Sequence, residues 1–172
     1  PGRLLDHAEQ RNVDLSHEGR YHVSVRNGFG QTSSPPAQLT LRVKPNVVAW
    51  GTNDFGQLNV PLDLTNAVAL SADRHVLARR ADGTVTAWGA NEYGQATVPA
   101  GLSNVIAVAT GWSHSLALRA DGGIVAWGTN AAGLVTIPAE ATNVVAIAAG
   151  SGHNLALRGD GTVVGWGYNG SG

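Results

Sequence analysis

Asn104-Val-Ile-Ala-Val-Ala, Gly111-Trp-Ser-His114, Ser115-Leu-Ala-Leu-Arg119, Asp121-Gly122 and Ile124-Val-Ala-Trp127-Gly128 come back in the same order 39 residues later. The second version reads Asn143-Val-Val-Ala-Ile-Ala, Gly150-Ser-Gly-His153, Asn154-Leu-Ala-Leu-Arg158, Asp160-Gly161 and Val163-Val-Gly-Trp166-Gly167. A step of 38–39 residues is kept by Trp50, Trp88, Trp127 and Trp166, by Pro61, Pro99 and Pro138, and by His75, His114 and His153. One supersecondary unit is therefore stacked about three and a half times, and the copies have to be read together. Each apolar segment is four to six residues long, rich in Val, Ile and Leu, and flanked by turn residues, which favours buried strands over helices. Asp-Gly between the second and third segments marks a hairpin, because Gly accepts positive φ without steric cost.

The third segment alternates. Val85, Ile124 and Val163 share one face with Ala87, Ala126 and Gly165, and the Trp side chains take the other. The small residue beside each Trp points to close approach of neighbouring sheets. Short strands at even spacing with a periodic Gly/aromatic motif predict an all-β fold, a partial β-propeller of about three blades plus a half.

The first copy departs from the rest. Between Pro61 and His75 it is one residue shorter, the Gly before the His is missing (Ala72-Asp73-Arg74-His75), and Arg79 falls where Leu118 and Leu157 stand. An Arg buried there needs a partner, so the reading is an end blade whose outer face meets solvent or the preceding domain.

Residues 1–44 do not share the period and form a separate domain, with the propeller repeats spanning 45–172. Glu18-Gly19-Arg20-Tyr21-His22-Val23-Ser24-Val25 alternates as a strand, Asn27-Gly28-Phe29-Gly30 turns, and Gln38 to Val43 returns. The stretch resembles the last strands of a bacterial immunoglobulin-like sandwich, with Tyr21 as its corner tyrosine and Val23 where such domains often carry their second Cys. His17 replaces the usual Asp two residues before the Gly.

Gly-x-x-His-Ser/Asn-Leu-Ala-Leu-Arg-x-Asp-Gly followed by Val-x-Ala/Gly-Trp-Gly resembles the repeats of the regulator of chromosome condensation family. The short period, with Trp-Gly-x-Asn-x-x-Gly-Gln and then Val-Pro, is most similar to bacterial members such as the β-lactamase-inhibitory propeller. The resemblance spans residues 46–172 and implies blades of a seven-bladed ring. It implies little about function, since members include a nucleotide-exchange factor, enzyme inhibitors and interaction modules. A ring of 4–8 blades at this period needs roughly 156–312 residues. The chain is therefore expected to be a fragment that continues past Gly172. Were it complete, open blade edges would invite self-association.

Bulk composition excludes several classes. Net charge is −1 with Lys44 as the sole lysine, so no basic face is available to release counterions from nucleic acid. The absence of Cys removes disulfides, thiolate metal sites and cysteine nucleophiles. No apolar run approaches the ~20 residues that span a bilayer as a helix. Met is absent, including at position 1, and no stretch of these residues reads as a signal peptide, which fits the expectation of a fragment.

His75, His114 and His153 invite a metal reading, but equivalent atoms in successive blades lie too far apart for one ion with ligand bonds of ~2 Å. Each is expected instead to hydrogen-bond a turn backbone of its own blade, and Trp50, Trp88, Trp127 and Trp166 to pack between blades. Trp112 lacks a counterpart, since Ser151 and Asp73 stand in the other copies, and an unrepeated loop aromatic suits an interface. After each Trp, a fixed Gly-x-Asn-x-x-Gly frame carries Asp54-Phe55, then Glu92-Tyr93, then Ala131-Ala132. The frame has the glycine spacing of a phosphate loop, but no Lys-Ser/Thr follows. Asp82, Asp121 and Asp160 are turn residues, and no Ser-His-Asp or Gly-x-Ser-x-Gly pattern appears.

The sequence thus predicts a non-enzymatic protein-interaction or adhesion module of a secreted or cell-surface bacterial protein, with no cofactor, metal or membrane insertion. The partner is a protein, with a glycan as the second class. It docks on one propeller face through Phe55, Tyr93 and Trp112, rimmed by Asp54, Asp73, Arg74 and Glu92. The competing readings are a structural spacer or stalk, and an extracellular carbohydrate-active enzyme using Asp54 and Glu92.

Overall fold

A computed structural model describes residues 47–170 in full and, among residues 1–46, the backbone of four short strands. The chain divides into two compact units between Val43 and Lys44. In the first unit β1 (Gly19–Tyr21) pairs antiparallel with β4 (Ala37–Leu39), and β2 (Ser24–Asn27) with β3 (Gly30–Ser33). In the second pair Asn27 stands opposite Gly30. The expectations for His17 and Val23 and for the Tyr21 side chain fall outside the described residues.

The second unit carries three antiparallel three-stranded sheets, each built from consecutive strands. The first blade is β5 (Ala67–Ala72), β6 (His75–Arg80) and β7 (Val85–Gly89). The second is β8 (Val105–Thr110), β9 (His114–Arg119) and β10 (Ile124–Gly128), and the third is β11 (Val144–Ala149), β12 (His153–Arg158) and β13 (Val163–Gly167). The fold is an all-β partial propeller. Register shifts at the same place in each blade, skipping Val68, Ile106 and Val145. The bulged residue is turned to solvent in all three, which explains three exposed branched apolar side chains inside a repeat otherwise built to pack.

Cores form between blades. Leu77 of the first blade packs with Val105, Ala117 and Trp127 of the second, and Leu118 of the second packs with Val144 and Ala156 of the third. The Ala of the central strand (Ala78, Ala117, Ala156) is wholly buried every time, which is why a small residue recurs there. Pro61, Pro99 and Pro138 offer carbonyls to Leu64, Leu102 and Ala141, folding the connection so that this third residue enters a core.

The first copy departs differently from its sequence reading. By strand alternation Arg79 shares the face of Leu77, which is packed against the second blade, so it looks toward that blade and not toward an outer face. It is half-buried, and its Nε has no partner. We find no structural compensation for it.

Trp50 also differs. Residues 47–50 form no strand, and Trp50 is 82% exposed. The other three Trp indoles donate Nε1–H to the carbonyl of a residue 31–32 positions earlier: Trp88 to Gln57, Trp127 to Gln95 and Trp166 to Leu134. For Trp50 that position falls at residues 18–19, which lie in the other unit and do not carry the loop motif.

Candidate functional site

The Gly-x-x-His turns and the loops after each Trp meet at one edge of the blades, opposite the Asp-Gly hairpins. The loop frame is held by its own side chains. Asn53, Asn91 and Asn130 each accept through Oδ1 from the backbone five residues on, at 2.8, 2.9 and 3.0 Å. Gln57 and Gln95 accept through Oε1 from Phe55 N and Tyr93 N, both at 2.9 Å. Phe55 and Tyr93 are thereby presented in the same way, one repeat apart. In the third loop Leu134 replaces the Gln, and Ala131–Gly133 closes into a short 3-10 turn with Ala132 at φ 54°.

Beneath this edge lies a buried polar ladder. His75 Nε2 meets Ser115 Oγ at 2.7 Å and His114 Nε2 meets Asn154 Oδ1 at 2.7 Å. Ser115 in turn donates to the Gln95 carbonyl, and Asn154 to that of Leu134, each at 2.8 Å. Because Asn154 Oδ1 can only accept and the Ser115 hydroxyl proton is already directed at Gln95, each His carries its proton on Nε2. His75 and His114 thus reach forward to the next blade rather than to a turn backbone of their own, and bind the stack together, whereas His153 is exposed. Burial is the main reason both titrate low. His75 is lowered from 6.5 to about 4, against a raising effect of Asp73 and with a smaller lowering by His114. His114 is lowered by burial, opposed by its Asn154 hydrogen bond. Both are neutral imidazoles at pH 7. Among the described residues no three His, Asp or Glu are grouped to hold a metal ion.

On the surface above, the Arg74 guanidinium lies 3.8 Å from the Phe55 ring centroid and 5.3 Å from that of Trp112. Arg74, Tyr93, Trp112, Ser113, Thr129 and Ala131 line a cleft of about 200 Å³. Tyr93 is 58% and Trp112 53% exposed, large values for aromatics fixed on a rigid frame. The structure therefore gathers Phe55, Arg74, Tyr93 and Trp112. Asp54, Asp73 and Glu92 are exposed near them in the chain and have no ion-pair partner among the described residues.

The equivalence assumed for Trp112 needs correction. Asp73 N donates to His75 O as Gly111 N donates to His114 O, and Arg74 O accepts from Ala90 N as Ser113 O accepts from Thr129 N. Asp73 thus stands in the place of Gly111, Arg74 in that of Ser113, and the first copy simply lacks the Trp112 position. Sequence reasoning also missed Ser113, Thr129 and Ala131 as cleft residues. The Ser113–Arg74 equivalence, one residue before each His, could have flagged the first of them.

The regulator of chromosome condensation (RCC1) repeat profile matches residues 67–95, 105–133 and 144–172, together half of the chain. The chain belongs to the RCC1 repeat family. No curated protein matches it. Among solved structures it is similar to the ectodomain of the Physcomitrella patens receptor kinase CR4, at 23% identity and TM-score 0.56 over 69% of this chain and 34% of that one. Human WBSCR16 gives 22% and 0.55 over 69% and 41%. Yeast RCC1 (Prp20), solved bound to Kap60, gives 23% and 0.51 over 88% and 38%. These likenesses concern the fold, and this RCC1 repeat chain spans between about a third and two fifths of the length of the solved chains.

Proposed function

We propose that the chain is a non-enzymatic protein-interaction module that docks a partner protein on the edge carrying Phe55, Arg74, Tyr93 and Trp112. The observation that carries this reading is the cleft itself. Two half-exposed aromatics and a stacked guanidinium share about 200 Å³, with Tyr93 N held by the Gln95 side chain and the turns that carry Arg74 and Trp112 closed by backbone hydrogen bonds. Pre-organised Trp, Tyr and Arg side chains are the residue types that dominate binding energy in protein interfaces. Asp54, Asp73 and Glu92 supply the charged rim. A secreted or cell-surface bacterial setting is supported by the short-period repeat and by the immunoglobulin-like reading of residues 1–44.

Trp112→Ala should weaken partner capture by about 1 kcal/mol or more, roughly fivefold, while the melting temperature stays put. Unchanged affinity would remove Trp112 from the site. A spacer or stalk predicts no effect of any surface substitution, so the same measurement separates the two readings.

A further inference from the structure

Deepening this docking reading and resting on it, we infer that the cleft over Tyr93 receives a cationic side chain, arginine foremost, from a basic segment of the partner protein. The repeat supplies its own precedent. In the first copy the ring of Phe55 is covered by the guanidinium of Arg74. One repeat on, Tyr93 is held by the same Gln hydrogen bond as Phe55, and Ser113 holds the backbone place of Arg74. Ser113 is too short to cover a ring. The volume that the chain fills from within in one copy is therefore open in the next, and there it gains Trp112 as an added wall.

In the third copy the frame carries Ala132 and Gly152 at these two places, so nothing remains to stack on. The three copies thus run from filled, through open, to blank. An open aromatic face flanked by Glu92 suits a guanidinium or ammonium, which a ring attracts through its quadrupole. Arg74 also lines the cleft, but on this edge Asp54, Asp73 and Glu92 outnumber it, and none of the three is consumed by an ion pair among the described residues.

The test is an NMR titration of the intact chain with acetyl-Gly-Arg-Leu-Gly-amide, with the same peptide carrying neutral citrulline or glutamate in place of arginine, and with maltohexaose. The arginine peptide should shift the Tyr93 ring and Trp112 indole signals and bind about two- to fivefold more tightly than the citrulline peptide. Ser113→Arg should recreate the first copy's internal stack and abolish that preference. The hydrogen-bonded indoles of Trp88, Trp127 and Trp166 report whether the variant is folded, and Tyr93→Leu, also expected to lose the preference, replaces it if not. Equal binding of arginine and citrulline peptides overturns the cation inference while leaving the docking face in place. Preference for the glutamate peptide also overturns it, by making Arg74 the reader. Shifts with maltohexaose alone overturn the protein partner in favour of a glycan, and no shift with any probe removes the docking face together with the inference.

Discussion

Gly111 has no room for a side chain. A Cβ there would fall 2.0 Å from His114 Cε1 and 2.7 Å from the Gly150 carbonyl oxygen. The imidazole lies against the bare backbone of its own turn, which is the physical content of Gly-x-x-His. Gly111→Ala should therefore destabilise the fold by about 2 kcal/mol or more in urea unfolding, since neither ring nor backbone can yield cheaply. The histidines also make stability depend on pH. With His75 at about 4 when folded and 6.5 when unfolded, the unfolded chain binds the extra proton between those values. Stability is whole above about pH 6.5 and falls as pH drops toward about 4, with His114 acting in the same direction. Melting at pH 4.5 should lie on the order of 5 °C or more below that at pH 7, and His75→Gln should flatten the slope. Asp82 and Asp160, held low by the Thr84 and Thr162 hydroxyls, act only at lower pH, in the carboxylate range. The spacing showed that Gly and His belong together. It could not show that His reaches forward, because its partner stands 40 residues away, in a strand position that reads equally well as local packing.

At the scale of the element, the blade was legible nearly throughout. Alternation around Trp88 and Trp127, the Asp-Gly hairpins and the small Ala87 beside Trp88 all follow from one strand facing two neighbours. The bulge at Val68, Ile106 and Val145 was not legible, because an extra apolar residue in an apolar run leaves no mark. Trp50 kept the period but not the environment, since the loop that should receive its indole is missing from the preceding sequence. The ladder makes the blade interface selective. Ser115→Ala strips the His75 Nε2–H of its acceptor in a wholly buried place and should cost about 1–3 kcal/mol in urea unfolding. Ser115→Asn, which copies the residue the third blade uses, should cost clearly less than Ser115→Ala. Equal losses would show that volume, not hydrogen bonding, governs the site.

At the scale of the molecule, a buried polar ladder runs beneath one edge, and that edge is where the aromatics emerge. The seven residues singled out from the sequence share this edge because they occupy only two kinds of loop, both at the same end of the strands. What the sequence could not give was their mutual distance: Arg74 between Phe55 and Trp112, and Tyr93 left open beside them, depend on one deleted residue in a turn. Among the described residues no blade follows the third, and its faces differ accordingly. Leu155 and Leu157 are 44% and 39% exposed, at places where Leu77, Leu116 and Leu118 are wholly buried. The most direct measurement is amide hydrogen exchange of the chain with and without its captured partner. Protection is expected at residues 89–97 and 110–114. Protection confined to the Asp-Gly hairpins at 81–84, 120–123 and 159–162, with the aromatic loops unchanged, would contradict the docking account.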